Sequence, residues 1–92
     1  MHTDSLPTQH ELKTDPLLFQ ASSDKIKNFE IRFNDRDFKV GDRLILLETV
    51  HTGLQMKNGA PLEYTGKKLI RDVTYILDGY GLEKGWVVMS VI

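Results

Sequence analysis

Ninety-two residues, 40% of them hydrophobic and 27% charged, make one globular domain with an ordinary core and exclude a second. The chain has no cysteine, which excludes disulfides and thiolate metal sites, and its formal net charge of −1 excludes a global basic field that would draw it onto a polyanion. No apolar run approaches the ~18 residues of a membrane span, and Met1–Pro7 lacks the basic and apolar regions of a signal peptide, so a cytoplasmic location is expected.

Residues 1–9 mix Ser, Thr, Asp, Gln and Pro without apolar periodicity and read as a flexible tail, leaving 10–92 as the domain. His10–Lys13 is a candidate first strand. Asp15-Pro16 starts a helix, because Asp15 can cap free backbone N–H groups and proline suits the first helical position. Leu17, Leu18 and Ala21 form its apolar stripe with Phe19 at the border, and Ser22-Ser23-Asp24 ends it. Lys27–Phe33 alternates with period two, and we assign Phe29, Ile31 and Phe33 to the core and Asn28, Glu30 and Arg32 to a cleft or solvent face.

Asn34–Asp37 and Lys39–Asp42 are turns, and Leu44–Leu47 is an unbroken apolar strand covered on both faces. His51–Gly66 is a long connection in which Asn58-Gly59 suits a hairpin turn between short strands. Lys68–Leu77 is a strand, Asp78–Gly85 a loop and Trp86–Ile92 a final strand. About five strands with a helix near the N-terminus predict a mainly β, α+β barrel.

The sequence has no Gly-x-Ser-x-Gly elbow, phosphate loop or dinucleotide fingerprint. Its histidines, His2, His10 and His51, are not spaced for a metal, so neither metal nor cofactor is expected. The informative stretch is Lys25–Asp42. Glu30 and Arg32 share one strand face and Lys27 enters at its start: a guanidinium fork grips phosphate or a base edge, and a carboxylate accepts from an exocyclic amine. Periodicity alone favours a plainer reading, a solvated ion pair worth about 0–1 kcal/mol.

Lys27-Asn28-Phe29-Glu30-Ile31-Arg32 followed by Phe38-Lys39-Val40-Gly41-Asp42 resembles the ASCH signature of the PUA-like superfamily: a Lys, then Glu-x-Arg, then a Gly-Asp turn into a strand. His10–Lys13, Asn34-Asp35-Arg36, Tyr64-Thr65-Gly66 and Tyr75–Gly79 extend the likeness to a small bacterial and phage branch, over residues 10–92. The resemblance implies a pseudobarrel with a cleft between barrel and first helix, lined by Lys27, Glu30 and Arg32, and an RNA-binding role. Some small members are amidohydrolases of acetylated cytidine, with a Lys, a Thr three residues later and a Glu from further on. Here Lys27 is kept, Glu30 stands in place of that Thr, neither Asp78 nor Glu83 aligns with the third residue, and Lys25 replaces a Gly often found two before the Lys.

Among further candidates, Tyr80 in its Gly-flanked loop offers a stacking face, ahead of Phe19, Tyr64, Tyr75 and Trp86, the last expected in the core. Lys13, Arg36 and Lys39 are candidate phosphate contacts. The expectation is an RNA- or nucleotide-binding module built on Lys27, Glu30 and Arg32, without membrane or metal partners. Its rivals are a nucleoside amidohydrolase using Lys27 and Glu30, and a protein-interaction module in which the cleft is only a packed groove.

Overall fold

In the computed structural model, which describes residues 7–92, Leu44 and Leu46 lie at the centre of the sheet with no solvent exposure. They belong to β3 (Arg43–Thr49), whose neighbours are β1 (Gln9–Thr14), parallel to it, and β4 (Tyr64–Leu77), antiparallel. β5 (Trp86–Val91) pairs with β4, and β2 (Phe29–Phe33) pairs with β5, both antiparallel, giving the order β1-β3-β4-β5-β2. β4 runs diagonally: Tyr64–Asp72 pair with β3, and Val73–Leu77 pair with β5. Register shifts near Leu47 and Val73 add the local twist that curls the sheet.

The curl brings the edge strands β1 and β2 near each other, where no ladder joins them. Arginine side chains span the gap instead: Arg32 Nη1 donates to the Lys13 carbonyl at 3.1 Å and Arg36 Nη1 to the Glu11 carbonyl at 2.6 Å. Inside the curl, Leu12, Val73, Val87, Met89 and Val91 join the two β3 leucines, with Phe19 and Phe38 closing over them. β3 is covered fully on one face only, since Ile45 and Leu47 on the other are half-buried.

The helix α1 (Pro16–Ser23) begins at the expected cap, Asp15 Oδ1 accepting from the Leu17 N–H at 2.8 Å. Its buried residues are Phe19 and Ser22, not the expected stripe; Leu17 and Leu18 are exposed. With so few turns the pattern has no single solution, and packing on β3 selects the phenylalanine. The expected hairpin turn at Asn58-Gly59 is instead the end of a short helix, α2 (Gly53–Lys57), where Asn58 is the C-cap and Gly59 has φ +107°. A capping box explains it: Thr52 Oγ1 accepts from the Gln55 N–H and Gln55 Oε1 from the Thr52 N–H.

The expected tail ends earlier than residue 9. Gln9 is already in β1 and the Thr8 carbonyl accepts from the Arg43 N–H, while residues 1–6 lie outside the described ones.

The largest correction concerns β2. Glu30 is 2% exposed and faces inward, while Phe29, Ile31 and Phe33 are each about half exposed on the outer face. The alternation is real, but a period of two is the same for either face, and only the tertiary pairing chooses between them. Inward, Glu30 sits opposite Met89 and Arg32 opposite Val87, and the carboxylate is tolerated there because cations meet it.

Candidate functional site

The inward face of β2 borders a cavity of about 640 Å³ between α1, β2 and the α2 segment. That volume falls within the ~300–1,000 Å³ usual for small-molecule sites. Lys27, Glu30 and Arg32 line it, as the sequence pattern expected, with Lys13 and Thr14 from β1 and Lys57 from α2. Leu18, Met56 and Leu62 supply apolar wall, which is why Leu18 is not packed into the core.

Glu30 is the hub. Lys27 Nζ donates to its Oε2 at 2.5 Å, and Arg32 donates to its Oε1 through Nη2 at 3.0 Å and Nε at 3.3 Å. Lys27 also donates to the Phe29 carbonyl at 2.6 Å, and its ammonium lies 5.1 Å from the centre of the Phe29 ring. Arg32 Nη2 also lies 3.5 Å from Thr14 Oγ1. Two cations on one carboxylate leave the cluster a net positive charge, and Lys13 and Lys57 add to it. The arginine is therefore a strut between β2 and β1 as well as a cavity wall, so its replacement affects folding as well as binding.

The walls are held by a second carboxylate. Asp15 caps α1 with Oδ1, and its Oδ2 accepts from the Gly53 N–H at 2.7 Å, tying the starts of α1 and α2 together. Below them Thr49, fully buried at the end of β3, has Oγ1 2.7 Å from the His51 carbonyl and 3.3 Å from the Thr14 carbonyl. These residues, with Lys57, are the part of the site the sequence reading missed. The Thr52-x-x-Gln55 capping box was the available signal for α2, and hence for Lys57 on its last turn.

Other candidates lie elsewhere. Lys39 is exposed and pairs with Asp37 at 3.2 Å, outside the cavity. Arg36 lines a second, smaller cavity of about 340 Å³ under the β1–β2 gap, where its role is the bond to β1. Tyr80 is 90% exposed at φ +53° and lines neither cavity. Trp86 is half-buried with its ring edge-on to Phe33, on the outer face rather than in the core. Phe19 is buried in the core and has no face to offer a base.

His10, read from the sequence only as a strand residue, is buried 2.8 Å from Asp42 Oδ2 and edge-on to Phe38. The Lys39 N–H donates to the same Asp42 oxygen, so the pair fixes the turn that enters β3. Neither His10 nor Asp42 lines the main cavity, so the pair is a structural contact.

Residues 9–91 match the family described as a domain of unknown function, DUF3850. The chain belongs to that family. The match runs from the first residue of β1 to the last of β5, so all five strands and the whole cavity lie within the DUF3850 domain. No curated protein matches the chain. No helix among the described residues is long and apolar enough to cross a membrane.

Proposed function

We propose that this DUF3850 domain is an ASCH-related member of the PUA-like superfamily, of bacterial or phage type and working in the cytoplasm, which holds a nucleotide or an unpaired nucleotide of RNA in its cavity. The observation that carries the reading is the charge-paired cluster of Lys27, Glu30 and Arg32 on the wall of a cavity of about 640 Å³. A phosphate is favoured by the excess of cations, which Lys13 and Lys57 extend, and a base by the apolar wall of Leu18, Met56 and Leu62. A cavity of that volume supports a small-ligand site over the rival in which it is only a packed groove.

Amidohydrolysis by Lys27 and Glu30 is less well supported. Both oxygens of Glu30 accept hydrogen bonds from cations, an arrangement that holds a carboxylate in place rather than freeing it to take a proton from a ligand.

The test is binding of the purified protein to nucleosides, nucleotides and short single-stranded RNAs at two salt concentrations. Nucleotides are expected to bind more tightly than their nucleosides, and RNA to lose affinity with salt as counterions are released. Arg32→Lys, checked for folding by circular dichroism, is expected to weaken binding tenfold or more, since lysine lacks the planar fork. A second variant, Lys57→Ala, changes an exposed side chain of the cavity rim and is expected to weaken phosphate-bearing ligands selectively. If no member of the panel binds the parent, the reading is wrong; hydrolysis of acetylated cytidine, lost in Glu30→Gln with binding kept, would replace it with the enzymatic one.

A further inference from the structure

Two cavities of this domain share a wall. Lys13, Ile31 and Arg32 line the main cavity and also the second one, of about 340 Å³, which lies along the gap between β1 and β2. Leu12 and Phe38, both buried, are its innermost residues. Phe33 and Trp86 make an aromatic corner on it, their rings edge-on with centroids 5.9 Å apart. Phe33 is 51% exposed, and its ring is seated on Gly85, where a Cβ would come within 2.6 Å of it. The corner is therefore held in place before any ligand arrives, and using it costs little side-chain entropy. Lys13 and Arg36 outnumber the one acidic side chain on this wall, Asp35, even with Arg32 paired to Glu30. Arg36 uses Nη1 on the Glu11 carbonyl, and the rest of its guanidinium fork bonds nothing else among the described residues.

We propose that the second cavity takes the base next in the strand to the nucleotide held in the main one. The ligand is then single-stranded RNA of two or more nucleotides rather than a free nucleotide. This rests on the nucleotide reading of the main cavity. A phosphodiester joining two nucleosides so placed crosses the wall that the cavities share, where Arg32 and Lys13 supply the cations. Unpaired bases are held in this way, splayed out and stacked on aromatic rings or on a guanidinium plane. Phe33, Trp86 and Arg36 offer both kinds of surface. At about 340 Å³ the cavity lies at the lower end of the ~300–1,000 Å³ usual for small-molecule sites, a size for one base rather than a whole ligand. Stacking tolerates any base, since each has a π-face, so this subsite adds affinity without choosing the sequence.

Calorimetric titration with nucleoside monophosphates and with dinucleoside monophosphates tests this. Each probe carries one phosphate, so a gain in affinity comes from the second nucleoside. Emission from Trp86, the chain's one tryptophan, gives a second reading from within the cavity. The dinucleoside probes are expected to bind about tenfold tighter and to quench the emission, which the mononucleotides leave unchanged. Phe33→Leu keeps an apolar side chain but removes the ring, and is expected to abolish that advantage while mononucleotide affinity stays as it was. Arg36→Gln leaves every ring in place and is expected to reduce the same advantage, which decides the matter if Phe33→Leu does not fold. Equal affinity for both kinds of probe, with the emission unmoved, overturns the proposal and leaves the nucleotide reading of the main cavity standing. An advantage that survives in the folded variants overturns it too. If neither kind of probe binds the parent, both readings fall together.

Discussion

Glu30 is the residue whose placement most changes the picture of this domain. A carboxylate 2% exposed is costly unless it is paired, and here Lys27 and Arg32 hold both oxygens. Glu30→Ala leaves two cations facing each other across a partly dry cavity, and a loss of about 3–5 kcal/mol is expected in urea denaturation, since breaking a buried pair costs more than the pair contributes. The reversed register of β2 has its own test. Met89 is fully buried and Ile31 is 46% exposed. Met89→Ala is expected to cost about 2–5 kcal/mol, and Ile31→Ala less than half as much. Equal losses would restore the register in which the isoleucine lies in the core.

At the scale of elements, the junction between α1 and β2 carries local backbone strain. Lys25 follows the helix C-cap at φ +58°, the left-handed conformation that glycine adopts without penalty. It is the position where the ASCH resemblance leads one to expect glycine. The reversal is held by the Ile26 and Lys27 N–H groups, which both donate to the Ala21 carbonyl at 3.0 Å, and this sets where Lys27 enters the cavity. Lys25→Gly is expected to raise stability by about 0.5–1 kcal/mol, the relief of the left-handed penalty less the extra freedom glycine gives the unfolded chain. Thermal unfolding reads the difference, and a lower melting temperature would mean that the lysine side chain has a stabilising role the backbone does not reveal.

At the scale of the molecule, a five-stranded sheet is curled until its edges are bridged by side chains rather than by a ladder. Arg36 is the cleaner of the two bridges to test, because it stands outside the main cavity. Arg36→Ala frees the Glu11 carbonyl, and because that bond is exposed to solvent the expected cost is about 0.5–1.5 kcal/mol. Because β1 is an edge strand, its amide protons are expected to exchange faster while those of β3 and β4 keep their protection. Uniform loss of protection would show that the bridge holds the whole sheet and not one edge of it.

Much of the local structure was legible along the chain. Asp15-Pro16 started a helix, Asn34–Asp37 and Lys39–Asp42 turned and Asp78–Gly85 formed a loop, because caps and turns act over a few residues; the strands fell near the expected runs, but β4 begins at Tyr64, inside the stretch read as a connection, where pairing with Thr49 of β3 extends it. The capping box at Thr52 was as local and was missed only because Asn58-Gly59 gave a competing signal. Glu30 and Arg32 were also legible as a pair, since two-residue spacing puts side chains on one face, with Lys27 as the cation at the strand's start. Which face they took was not. Phe29, Ile31 and Phe33 form as good an inner row as an outer one until β5 supplies Met89 and Val87 on one side and Trp86 on the other. The cavity too needed the tertiary structure, because its walls come from β1, α1, β2 and α2, segments up to some forty residues apart in the chain that only the curl of the sheet and the double cap of Asp15 bring together.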